Sequence, residues 1–267
     1  MSSSDRAEQV SFLRRAVGAI ERDASRARQA DRLSLTRALD RKLGGGLSGD
    51  GLHEIVPAAP ADAPAALGFT LSLAARFMAA RGAAGLLATE DFAAGQEGAL
   101  FGPGLVAHGL DLSRLVFVRA PDAGALFQTL EDALKSGALA VVVGEVWRLA
   151  KYDLAVSRRL TLAARAGATP VLLALPTAHG VRLSTAAQTR FEIAAAPSAR
   201  EAAAGRARPS PGAAAVSARI VKTRTGDADP TQEVRLIWRS EEQRFDDPAI
   251  SVPVAAAPAD RSRQESA

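Results

Sequence analysis

The sequence predicts an α/β fold: a mostly parallel sheet flanked by helices, with an N-terminal helical arm and a C-terminal β-hairpin extension. Three observations lead there. Residues 109–145 read as strand, helix, strand. Several short apolar runs lack polar alternation, the pattern of strands buried on both faces. Two segments near the C-terminus do alternate, and a turn joins them.

The strand–helix–strand unit is GLDLSRLVFVRAPDAGALFQTLEDALKSGALAVVVGE. Leu115–Val118 is a short apolar run, approached through Asp111 and Ser113 and left at Pro121-Asp122. Leu126, Leu130, Ala133 and Leu134 recur at helical spacing and form one apolar stripe. Lys135 suits the negative end of that helix, and Gly137 the position just past it. Leu139–Val143 follows, β-branched and uninterrupted, as the second strand of a βαβ crossover.

In chain order, residues 5–30 read as an amphipathic helix. Val10, Leu13, Val17 and Ile20 make a narrow stripe suited to the chain's own core or to a partner. Leu43–Leu47, with its three glycines, closes the arm as a loop. Leu52–Val56 is a strand, and Pro57–Pro64 a proline-containing loop. A helix follows from Ala65 to Ala80. Gly85–Thr89 is a strand ending at Glu90-Asp91, on the ligand-binding edge of a parallel sheet. After a short helical segment near Gly102–His108 comes the βαβ unit, whose second strand ends at Gly144-Glu145. Trp147–Ala166 reads as a helix with Leu149, Leu154, Leu160 and Ala163 inward, and Thr169–Leu175 as a strand. Arg190–Ala194 is a short strand, and Val216–Val221 with Glu233–Trp238 form the hairpin. This places an arm at 1–42, a core at 43–197, a linker at 198–214, a hairpin at 215–240 and a disordered tail at 241–267.

Composition narrows the chemistry. The chain of 267 residues has no cysteine, which excludes disulfides, thiol catalysis and Cys-ligated zinc. Its three histidines, His53, His108 and His179, are scattered and suggest no metal site. The net charge of +4 permits nucleic-acid contact without demonstrating it. No apolar run approaches the ~18–20 residues of a membrane span, and the expectation is a soluble cytoplasmic protein. Strand, loop and helix at residues 52–80 have the order of a phosphate-binding loop, yet no Gly-Lys-Ser/Thr is present and prolines remove N–H donors.

The order of these elements resembles the RecA-type ATPase core. The segment from Leu105 to Glu145 is similar to bacterial RecA ahead of its magnesium-binding aspartate, and Leu43–Leu47 to its GGGL. Glu90 falls where RecA carries its water-activating glutamate. Gly68 and Phe69 fall where the loop Lys and Thr would be, and Gly144, with Glu145 beside it, takes the aspartate position. The resemblance therefore implies a degenerate nucleotide pocket, no catalytic residues, and no ATP, magnesium or other metal cofactor. GGGL followed by LHEI, SGALAVVVGE, SRRLTLAARAG at Ser157–Gly167 and TRFEIAAAPS at Thr189–Ser198 resemble the ImuA family of the damage-inducible mutagenesis cassette. That resemblance implies a non-catalytic accessory role in error-prone translesion DNA synthesis. The implied partners are a Y-family polymerase-like protein, an error-prone C-family DNA polymerase and RecA, with DNA contacted indirectly. Val10, Leu13, Val17, Ile20 and Trp238 are the candidate partner contacts. A SulA-like cell-division inhibitor and a DNA-dependent RecA-like ATPase are the alternatives.

Overall fold

The computed structural model describes residues 31–198, 212–227 and 229–247. The stripe Val10, Leu13, Val17 and Ile20, most of the linker and the tail from residue 248 lie outside the described residues.

The strands are β1 (Arg32–Leu33), β2 (Leu47–Ser48), β3 (Leu52–Pro57), β4 (Gly85–Glu90), β5 (Leu115–Ala120), β6 (Val141–Glu145), β7 (Val171–Ala174), β8 (Thr189–Ala196), β9 (Ala215–Thr223), β10 (Glu233–Arg239) and β11 (Arg244–Asp246). The helices are α1 (Arg37–Leu43), α2 (Ala63–Arg81), α3 (Asp91–Glu97), α4 (Gly102–Ala107), α5 (Ala123–Lys135) and α6 (Leu154–Ala166). Among the described residues one nine-stranded sheet runs β11-β10-β9-β8-β3-β7-β6-β4-β5, and β1 and β2 pair separately. From β8 to β5 all neighbours are parallel, whereas β9, β10 and β11 are added antiparallel.

Two apolar layers sandwich the parallel strands. On one face α2, buried along most of its length, packs with α1 and α4 over Ile55, Leu87, Val141, Val143 and Phe191. On the other, Leu126, Leu130 and Leu134 of α5 join Leu160 and Ala163 of α6 over Leu86, Ala88, Val142 and Val171. Strands covered on both sides need no polar alternation, which is why these runs are continuous. The stretch Pro60–Arg81 is long and apolar enough to cross a membrane, a length the sequence reading overlooked; about 56% of its most apolar window is buried inside this fold.

The expected βαβ crossover is present and passes over one strand: β4 lies between β5 and β6, and β5 forms the sheet edge. Several expectations are corrected. The helix expected from Trp147 begins only at Leu154, where Asp153 accepts the Val156 N–H at 2.8 Å. A 3-10 turn at Leu149–Lys151 precedes it, and Leu154 is exposed rather than inward. The hairpin continues the main sheet through β9 and β8, and residues 244–246, expected in the disordered tail, form β11. Leu33, Leu35 and Leu39, which fall in the expected arm, belong with Leu43 to the α2-side core.

Candidate functional site

The strands of a parallel sheet deliver ligand-binding loops at their C-terminal ends. Here that edge carries the loop after β3, Thr89-Glu90 at the end of β4, and Gly144-Glu145 at the end of β6.

The β3–α2 loop occupies the place of a phosphate cradle, but the amides of Ala58, Ala59 and Asp62 are already committed. Ala58 N–H donates to Ile193 O at 2.8 Å, and Ala59 N–H donates to Asp62 Oδ2 at 3.0 Å. Asp62 Oδ1 accepts the Ala195 N–H at 2.8 Å. Asp62 is the residue just before α2, so a carboxylate already stands at the end of the helix whose dipole attracts anions. Pro57, Pro60 and Pro64 have no N–H to offer. The glycine cluster upstream has a structural task as well. Gly44 caps α1 with φ 72°, and a Cβ there would lie 2.4 Å from Thr225 O.

Gly68 and Phe69 sit in the second turn of α2 and do not meet the acidic residues. Phe69 is buried, with ring centroids 5.3 Å from both Phe191 and Phe245. Gly68 borders an aromatic cavity of about 300 Å³ with Ser72, His108, Trp238 and Phe245. His108 Nε2 lies 2.7 Å from Gly68 O and 2.8 Å from Ser72 Oγ. Burial lowers the pKa of His108, and its bond to Gly68 opposes that shift in part. The Trp238 indole donates to His108 O at 3.0 Å and stacks on the imidazole. Trp238, a candidate partner contact, is therefore a buried wall of this cavity.

Glu90 and Glu145 end neighbouring strands but face opposite sides of the sheet. Glu145 shares the parity of Val141 and Val143 and lies on the α2 side. It accepts the Thr89 hydroxyl at 2.8 Å, and both border a cavity of about 200 Å³ with Leu67, Phe101, Phe117 and Arg119. Glu90 shares the parity of Leu86 and Ala88 and lies on the α5–α6 side. It is fully buried, and its Oε1 accepts the N–H groups of Trp147 at 3.0 Å and Arg148 at 3.2 Å. Glu90 thus fastens the loop that leaves β6. Gly144 faces α5, where a Cβ would lie 2.6 Å from Leu130 Cδ1 and 2.9 Å from Leu173 Cδ2. Helix packing, rather than a ligand, requires glycine there. The five residues read as one pocket are distributed over two cavities and two faces.

A largely buried charged cluster lies at Glu54. Glu54 sits within β3 and is fully buried. Its Oε1 accepts the Tyr152 hydroxyl at 2.5 Å and its Oε2 accepts Arg190 Nε at 2.6 Å. Arg190 also donates to Leu183 O and Thr185 Oγ1. Burial, and then the Glu54 charge, raise the Tyr152 pKa well above its ordinary value. Burial lowers that of nearby Lys222, whose Nζ donates to Thr185 O. These side chains tie β3, β8 and β9 to the α6 side; only the register of Glu54 opposite Arg190 could have signalled the pair, and it is invisible before the strands are placed.

No group of three His, Asp or Glu among the described residues is placed to hold a metal ion. No protein-family model matches this sequence, and no curated protein matches it significantly.

Proposed function

We propose that this chain is a RecA-like, ImuA-type accessory protein of damage-induced translesion synthesis, acting through protein contacts rather than ATP chemistry. One observation carries the non-catalytic part: the Asp62 carboxylate stands just before α2 and takes up the amides of Ala59, in the β3–α2 loop, and of Ala195. A phosphate arriving there would meet a carboxylate, with no lysine to offset the repulsion. The placement of Glu90 agrees, because its carboxylate holds backbone amides. The RecA-like part is supported by a parallel sheet in which strand, loop, helix, acid-ended strand and crossover unit follow in the order the resemblance requires.

The polymerase partners rest on the sequence resemblance. The test is an affinity pull-down of the tagged full chain from DNA-damaged cells. Recovery of a Y-family polymerase-like protein with an error-prone C-family polymerase is expected, with or without RecA. Recovery of the tubulin-like division protein instead would move the protein to the SulA-like alternative. Magnesium-dependent ATP binding in a titration of the purified chain would revive the ATPase.

A further inference from the structure

The two edges of the sheet are built differently. At one end β11 is three residues long, and its Arg244 and Asp246 are ion-paired with each other and with Glu242 and Arg239. Short, charged edges discourage pairing with another chain. At the other end β5 runs six residues, LVFVRA, with β4 as its single neighbour among the described residues. Nothing in it blunts the edge: it has no proline, and its one charge, Arg119, lies near its end. Val116 is 49% exposed and Phe117 46% exposed, on opposite faces of the strand. Phe101, at 71%, Val106 and Leu112 add exposed apolar surface in the segment that leads into β5. Most of the large apolar side chains exposed among the described residues thus belong to one stretch of chain ending at this edge, which marks an association surface.

We propose that β5 pairs antiparallel with β5 of a second copy of this chain, about a two-fold axis at Val118. This inference is independent of the proposed function. Face parity restricts the pairing. A two-fold that continues the sheet keeps each face on its own side, so the axis must pass a residue that meets its own copy. With Val118 there, Val116 lies opposite Ala120 and Phe117 opposite Arg119, an apolar pair and a cation–aromatic pair. Beyond the strand, Arg114 of one copy is brought toward Asp122 of the other. Arg114 is half-buried and Asp122 exposed, so the charges at the two ends are of opposite sign. No like charges face each other anywhere in this register.

Because the chain has no cysteine, register can be read with single thiols. Residues directly opposite in an antiparallel pair have Cα atoms about 4.5–5.5 Å apart, within disulfide range. In the full chain, Val118→Cys should give a cross-linked dimer under mild oxidation, and Leu162→Cys, exposed on α6, should not. Sedimentation equilibrium should show a wild-type dimer, and Val116→Lys should be monomeric, melting cooperatively like wild type diluted to its monomeric range. A wild type that is monomeric at every concentration would overturn the proposal, as would a dimer that survives Val116→Lys. Equal cross-linking at both cysteines would also overturn it. So would a chain that dimerises only after removal of residues 1–30, because its own arm would then be the edge's occupant.

Discussion

A carboxylate inside a sheet must be held by partners, and Glu54 has two, Tyr152 and Arg190. Removing one member of a buried ion pair leaves the other uncompensated, which costs about 3–5 kcal/mol. Glu54→Ala should therefore lose roughly that much stability in denaturant unfolding. Glu54→Gln, which keeps an acceptor for Tyr152, should lose less. His53 supplies a second residue-level prediction. Its Nε2 faces Ser48 O at 2.9 Å, so that nitrogen carries the proton, while Nδ1 is buried without a partner. Burial lowers its pKa from 6.5 to about 4, against smaller opposing effects of the Ser48 bond and Asp50. Between those values the unfolded chain binds more protons than the folded one. The contribution of neutral His53 is complete above pH 6.5 and declines as pH falls toward 4, by on the order of 3 kcal/mol. Denaturation midpoints measured across that window should fall more steeply for wild type than for His53→Gln, whose amide can still donate to Ser48 O.

At the scale of elements, the contact of α5 with the sheet is set by Gly144. An added methyl would press on Leu130 and Leu173, and overpacking of this kind costs about 1–3 kcal/mol. Gly144→Ala should show that loss in thermal unfolding. Gly68 is the counterpart: its Cβ would meet nothing nearer than His108 Cε1 at 3.7 Å, in a helix interior. Gly68→Ala should be neutral or stabilising by up to ~1 kcal/mol. The same elements show what a sequence carries. Strands β6 and β7, and most of β4, are legible as unbroken apolar runs because both of their faces are covered. That continuity also hides the site, since without alternation nothing tells which face Glu90 or Glu145 takes. β5 has a run like that of β6 yet is half exposed, because its place at the edge depends on the order of distant strands. The start of α6 is set by the cap Asp153, a signal that the apolar residues Trp147 and Leu149 upstream obscure.

For the whole molecule, the decisive question is whether the C-terminal hairpin is an appendage or part of the core. Its alternation made the strands readable, but their inward face belongs to the α2-side core. Ala218, Ile220, Leu236, Trp238 and Phe245 pack there with Phe69, Phe191 and Ile193. Each large apolar side chain fully buried contributes about 1.5–3 kcal/mol. Domains have only about 5–15 kcal/mol of net stability, so losing this set together removes most or all of it. Cutting after residue 198 would also leave β8 with a bare edge beside an exposed aromatic face. A chain ending at residue 198 should therefore fail to show a cooperative thermal transition and should aggregate. Circular dichroism melts of this truncation beside the full chain test this directly. Loss of partner binding in the shorter form would then report unfolding, so contact mapping on this region needs exposed point substitutions such as Arg235→Glu. Cooperative melting of the shorter chain would instead show that β9–β11 form a separable module.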